Sequence, residues 1–141
     1  MYLGIDLGTS AVKVVLADEN DSIVGDASAA REVSRPASLH SEQDPEDWWR
    51  STLQAVSAAF GEARIDPGAI DAVGLAGQMH GLVALDAQGD CIRPAQLWND
   101  GRCEPQCRAV EDHLGPAHLL ACTGNRMLPG FTAPKLLWMR E

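Results

Sequence analysis

The sequence predicts an α/β fold that opens on an antiparallel meander, and three observations carry the prediction. Two apolar runs, Tyr2 to Asp6 and Val12 to Ala17, flank the turn Leu7-Gly8-Thr9-Ser10. A weaker run, Ser22 to Ala30, follows the polar turn Asp18-Glu19-Asn20-Asp21, so three strands joined by tight turns come first. A capped helix and a further apolar strand then follow in order.

The near-continuous apolar content from Val12 to Ala17 predicts a strand covered on both faces. After a loop through Arg35-Pro36, a helix start is written at Asp44-Pro45-Glu46-Asp47. Asp44 can cap, Pro45 fits the first helical position, and Glu46 and Asp47 suit the positive end of the helix dipole. Trp49, Leu53, Val56 and Phe60 recur at helical spacing, which predicts the buried face, and Gly61 predicts the stop. Ala72 to Ala76 reads as a buried strand opening into Gly77-Gln78-Met79-His80-Gly81. Leu82 to Leu85 and Cys91 to Ile92, around Asp86-Ala87-Gln88-Gly89, predict a second hairpin. It echoes the first (Val15-Leu16-Ala17-Asp18 against Val83-Ala84-Leu85-Asp86), which shared turn chemistry explains without a true repeat. Helices are expected at Glu104 to Leu114 and Ala133 to Arg140. Trp48, Trp49 and Trp138 are expected in the core, because helical spacing explains them.

A chain of 141 residues with 45% hydrophobic and 22% charged residues can bury a core of its own. No apolar run approaches the length needed to cross a bilayer. Met1-Tyr2-Leu3-Gly4-Ile5-Asp6 lacks the basic-then-apolar pattern of a secretory signal, so a cytoplasmic protein is expected. The formal charge is −9, and Lys13 and Lys135 are the only lysines. Without a basic face, binding to nucleic acid or an anionic membrane is not expected. Any handling of phosphate must rest on backbone N–H groups, a metal ion and very few cations. Of the cysteines Cys91, Cys103, Cys107 and Cys122, the pair Cys103 and Cys107 with His113 beyond could suggest zinc. Their spacing is that of helix neighbours and no second close pair exists, so incidental reduced thiols are the better reading.

Asp6-Leu7-Gly8-Thr9-Ser10-Ala11-Val12-Lys13 is the most informative stretch. An aspartate at a strand end can hold a carboxylate near bound Mg²⁺, and the turn offers backbone N–H groups and two hydroxyls to phosphate oxygens. Gly8 lets the backbone approach closely, and Lys13 brings the one local positive charge. There is no Gly-Lys-Ser/Thr and no helix after the turn, so this is neither a Walker A loop nor a dinucleotide fingerprint. An ordinary tight turn with a polar tip is the alternative. The arrangement resembles the first phosphate motif of the actin, Hsp70 and sugar-kinase superfamily. The ribonuclease-H-like core of that superfamily begins with three antiparallel strands, a helix and a further strand.

Four later stretches narrow the resemblance: His40-Ser41-Glu42-Gln43-Asp44-Pro45, Gly77-Gln78-Met79-His80-Gly81, Leu97-Trp98-Asn99-Asp100-Gly101-Arg102 and Pro129-Gly130-Phe131-Thr132-Ala133-Pro134-Lys135. Over the whole chain they resemble the FGGY carbohydrate kinases, and among these the members that act on D-xylulose. The resemblance implies phosphorylation of D-xylulose to D-xylulose 5-phosphate with ATP and Mg²⁺, L-ribulose or another pentulose being the alternative substrate. It implies that Met79 and His80 contact the sugar at the open end of a strand. Trp98 would wall the pocket, with Asn99, Asp100 and Phe131 close by. An imidazole and a carboxylate can hydrogen-bond vicinal hydroxyls, and an indole face packs on the C–H side of a sugar. Met-His stands where glycerol kinases carry Arg-Glu, which argues against glycerol. Other readings stay open: a structural His80, a core Trp98, and a surface pair between Asp100 and Arg102.

Phosphoryl transfer also wants a carboxylate that accepts the hydroxyl proton. In the family that aspartate, the second phosphate loop and the adenosine site lie beyond this region, and Asp6 resembles the metal-organising aspartate. Residues 1–141 are thus expected to be the N-terminal part of FGGY kinase domain I, with the rest of that domain and domain II absent. A homodimer of the complete enzyme is compatible with this, as is a non-catalytic actin-like binding module.

Overall fold

The computed structural model describes residues 1–141. Its strands are β1 (Tyr2–Leu7), β2 (Ala11–Ala17), β3 (Ile23–Ala30), β4 (Glu42–Gln43), β5 (Ala72–Gly77) and β6 (Ala95–Gln96). Its helices are α1 (Pro45–Ala63), α2 (Glu104–Leu114), α3 (Pro116–Thr123) and α4 (Thr132–Arg140), with a 3-10 turn at Pro67–Ala69. The chain divides into two compact units, Met1–Val33 with Asp44–Gln78, and Ser34–Gln43 with Met79–Glu141.

The first unit is a four-stranded sheet in the order β3-β2-β1-β5. The first three strands form the expected antiparallel meander, and β5 lies parallel to β1. Asp18 shapes the β2–β3 turn, its carboxylate accepting from the amides of Asn20 and Ser22. Val12, Val14 and Leu16 are at most 1% exposed, whereas Lys13 and Val15 face outward. β2 is therefore covered on one face and not on both, because α1 packs against that face alone. Burying each of these three side chains stabilises the fold by roughly 1.5–3 kcal/mol. At Gly25 the strand runs so close to the helix that a Cβ would stand 2.7 Å from the Ala63 methyl.

α1 begins as read: the Asp44 carboxylate accepts from the Glu46 amide and Pro45 opens the first turn. Its buried face differs from the expected one. Ala55 and Ala59 are fully buried and Val56 and Phe60 partly so, while Trp49 and Leu53 are 59% and 50% exposed. Small residues let the helix approach the sheet, and the large side chains one turn earlier are turned away. Trp48 is half-buried beneath the Arg31 guanidinium, whose carbon lies 5.7 Å from the ring centroid. Trp49 is thus not a core residue. Gly61 does not stop the helix either; Arg64, in the left-handed region at φ 54°, closes it by donating its amide to the Phe60 carbonyl. β5, expected to be buried, is exposed throughout. It is an edge strand whose only ladder is to β1, with Val73 54% and Leu75 79% exposed.

The second unit carries the β4–β6 ladder, Glu42 opposite Gln96 and Gln43 opposite Ala95, extended by bridges from Ser34 to Glu42 and from Leu82 to Gln96. The expected second hairpin is reduced to one bridge, Leu85 to Cys91. Its turn survives, since Asp86 accepts from the amides of Gln88 and Asp90 as Asp18 does in the first turn. α2 spans the expected residues and ends at Gly115, φ 78°. α3, which periodicity does not announce, follows at once behind Pro116. α4 begins one residue before the expected Ala133.

Candidate functional site

In the first unit Asp6 and Lys13 are directly opposite across the β1–β2 ladder. Antiparallel partners share a face of the sheet, and alternation puts this pair on the side away from the buried Leu3, Val12 and Val14. The Asp6 carboxylate takes no hydrogen bond from the chain. Beside it the turn is drawn tight: a Cβ on Gly8 would stand 3.1 Å from the Ala11 carbonyl oxygen and 3.8 Å from Asp6 Oδ2. Glycine therefore keeps clear a space bordered by backbone and carboxylate, which suits a cation and the phosphate oxygens it carries. The far end of the turn is pinned, the Ser10 carbonyl accepting from the Arg31 amide at 2.8 Å. Thr9 Oγ1 donates to Gln78 Oε1 at 2.9 Å, and the Gln78 amide donates to the Leu7 carbonyl at 3.0 Å. Gln78 was not singled out from the sequence. Its signal was its place directly after the strand that pairs with β1.

The second unit brings together the stretches expected to face the sugar. His80 lies in the left-handed region at φ 61°. Its ring meets Phe131 edge to face, centroids 4.9 Å apart at 71°. The Leu82–Gln96 bridge carries the Met79–Gly81 turn beside the chain that leads into Trp98. On the other side, a Cβ on Gly130 would stand 3.0 Å from the Trp98 carbonyl oxygen, so the Phe131 loop packs on the Trp98 loop. Met79, His80, Trp98 and Asn99 are all solvent-exposed. A cavity of about 290 Å³ opens beside His80 and Phe131, bordered by Leu119, Thr123, Asn125 and Met127 among others.

Asp100 differs from its neighbours in being 1% exposed. Its carboxylate accepts from the Ser41 amide at 2.7 Å and from Arg102 Nε and Nη2 at 2.9 and 2.6 Å. Arg102 Nη2 also reaches Glu42 at 2.7 Å, and Arg93 reaches the same Glu42 oxygen at 2.6 Å. The two guanidinium carbons lie 4.9 and 4.7 Å from the Trp138 ring centroid. Asp100 and Arg102, which the sequence left open as a surface pair, thus pair in a buried setting, and Trp138 is a half-buried platform for two cations rather than apolar core. Burial pushes the Asp100 carboxyl up, but the Arg102 guanidinium and the backbone amides of Ser41 and Arg102 outweigh it and hold the group below the usual carboxylate range. Burial likewise pushes Arg102 down, and its bonds to Asp100 and Glu42 more than reverse this.

Lys135 is 0% exposed, and its ammonium donates to the carbonyls of His80 at 3.0 Å and Gly130 at 2.7 Å. Burial pushes it below the usual lysine range, against the opposing pull of Cys103 and Asp100. The four cysteines are free; Cys103 and Cys107 are buried, and burial pushes the Cys107 thiol up to about 11. No group of three or more metal-ligating side chains forms around them.

The family model for the N-terminal domain of the FGGY family of carbohydrate kinases matches residues 1–141. The chain belongs to that family. Within it, the chain is 49% identical over 141 residues to a protein named xylulose kinase from Escherichia coli, covering 100% of this chain and 28% of that one. It is 42% identical to a xylulose kinase from Bacillus subtilis, with 99% and 28% covered. A solved structure described as a xyloylose kinase from Brucella ovis superposes with a TM-score of 0.91 at 45% identity, covering 98% of this chain and 28% of that one. This FGGY chain thus spans about 28% of the length of the curated relatives it matches. The α/β architecture is the one those kinases share.

Proposed function

We propose that this chain supplies the first phosphate turn and part of the sugar pocket of an enzyme that transfers the γ-phosphoryl group of MgATP to D-xylulose. The observation that carries the reading is the edge-to-face pairing of the exposed His80 with the half-buried Phe131, on a loop that packs against the Trp98 loop. Relatives named xylulose kinase, matching the whole chain at up to 49% identity, support the choice of sugar.

Bound MgATP supplies the phosphoryl group and the charge that neutralises it during transfer. Asp6 would hold the metal through its carboxylate, and Lys13, opposite it across the ladder, would balance negative charge on that face. The amides of Gly8, Thr9 and Ser10, with the Ser10 hydroxyl, donate to phosphate oxygens. Thr9, whose own proton goes to Gln78, fixes the tip of the turn. On the sugar side His80 and Asn99 hydrogen-bond hydroxyls, while Trp98, Phe131 and Met79 cover C–H surface. Asp100 serves from beneath, holding Ser41 and Arg102 under the Trp98–Asn99 loop. The proton acceptor belongs to the portion of the enzyme outside the matched 28%.

The test is turnover of the complete enzyme, measured as ADP release, with D-xylulose, L-ribulose and glycerol side by side. D-Xylulose is expected to show the highest kcat/KM, and His80→Ala is expected to raise its KM far more than that of ATP. A preference for L-ribulose or glycerol overturns the substrate; a His80→Ala enzyme with unchanged sugar kinetics overturns the site.

A further inference from the structure

We propose that Lys135, assisted by Thr132, is a positioning residue for sugar recognition, acting through the backbone of His80; this rests on the sugar-facing role proposed for His80 above. A lysine buried to 0% exposure, with its ammonium among carbonyl dipoles, is costly to desolvate and is kept only where its bonds are well made. Here one ammonium donates to the His80 carbonyl and to the Gly130 carbonyl, the peptide oxygen immediately before Phe131. It therefore ties together the backbones of the two residues whose rings meet at 4.9 Å.

The His80 backbone needs that tie. A non-glycine residue at φ 61° sits in a sparsely populated region and persists only where its surroundings hold it there. The His80 carbonyl accepts a second bond, from Thr132 Oγ1 at 3.3 Å. Both donors sit on α4, three residues apart and so on one helix face. The first turn of α4 thus clamps the peptide that aims the imidazole. Relaxing the clamp lets His80 return toward ordinary backbone angles and swings its ring off Phe131.

The experiment uses the full-length enzyme with Lys135→Met, Thr132→Val, His80→Ala and the Lys135→Met/His80→Ala double variant. Loss of a charge-assisted bond to the His80 carbonyl is expected to raise the KM for D-xylulose about tenfold, with the KM for ATP within about twofold of wild type. Thr132→Val is expected to raise it about threefold and Thr132→Ser to restore it. Because Lys135 acts through His80, the double variant should be no worse for sugar than His80→Ala alone. Equal rises for sugar and ATP, or a double variant whose losses multiply, overturn the positioning role. Should Lys135→Met not fold, the Thr132 pair decides: an unchanged sugar KM in Thr132→Val overturns the proposal. A His80→Ala enzyme with ordinary sugar KM removes the His80 reading itself, and the positioning role with it.

Discussion

Asp100→Asn separates two roles that one carboxylate could play, contact with a sugar hydroxyl or support of the loop that carries Trp98 and Asn99. The substitution keeps the shape and one acceptor oxygen for the Ser41 amide. It removes the charge facing Arg102 and turns an NH₂ group toward the Arg102 backbone amide and Nε, which now donate to the other oxygen at 3.1 and 2.9 Å. Removing one partner of a buried ion pair costs about 3–5 kcal/mol. Arg102 keeps Glu42 at 2.7 Å and its place over Trp138, so the low end applies, about 3 kcal/mol. That is roughly a hundredfold in the folded-to-unfolded ratio, since about 1.4 kcal/mol is tenfold. In the complete enzyme, of whose relatives this chain covers 28%, it lowers Tm by less than the roughly 6–12 °C that about 3 kcal/mol gives a single domain of about 150–250 residues. Thermal melting of the complete enzyme measures the first effect and the KM for D-xylulose the second. Replacing Arg102 by Met as well should recover part of the loss, since removing both charges of a buried pair is far less costly than removing one. An unchanged Tm with a sugar KM raised manyfold would refute the buried-support reasoning and make Asp100 a sugar ligand.

Other outcomes follow from the same geometry. Asp6→Asn should leave melting intact and cut turnover about 10²-fold or more, because charge near the transferring phosphate is lost; wild-type turnover at saturating MgATP removes the role. Because the folded-state pKa of Asp100 lies below the ordinary 3.8, its stabilisation is present above pH 3.8 and is lost as pH falls from there through the folded value. Acid titration of Asp100→Asn should therefore show a shallower loss in that window than wild type, and equal slopes would count against it. A thiol reagent at pH 8 should modify the exposed Cys91 and Cys122 quickly and the buried Cys103 and Cys107 only on unfolding. Gly25→Val should destabilise by about 1–3 kcal/mol through the contact with Ala63, read by denaturant midpoint.

Local chemistry made part of this fold legible. Asp44 and Pro45 announce a helix start because capping needs only neighbours in sequence, and the Asp6-to-Lys13 hairpin is likewise a local object. Burial is not local. Val73 and Leu75 have the composition of a covered strand, yet within this chain β5 is an edge. Trp49 has helical spacing, but small Ala55 and Ala59 fit closer to the sheet and take the inner face. β4 and β6 are polar or small pairs of residues, too short to show alternation. Lys135 reads as a charge set among apolar neighbours in a helix until its two carbonyl partners, five and fifty-five residues away, are seen.

The parallel register of β5 on β1 also sets an order of assembly. Leu7 and Val12 are five residues apart where the first hairpin closes, whereas Tyr2 and Ala72 are seventy apart. Loop-closure entropy then disfavours the second pairing by about 2 kcal/mol relative to the first. The meander and α1 can form a nucleus from near neighbours, and β5 joins only after the chain has travelled out and back. Pulse-labelled hydrogen exchange during refolding should find β2 amides protected before those of β5; simultaneous protection would mean that the sheet forms as one event.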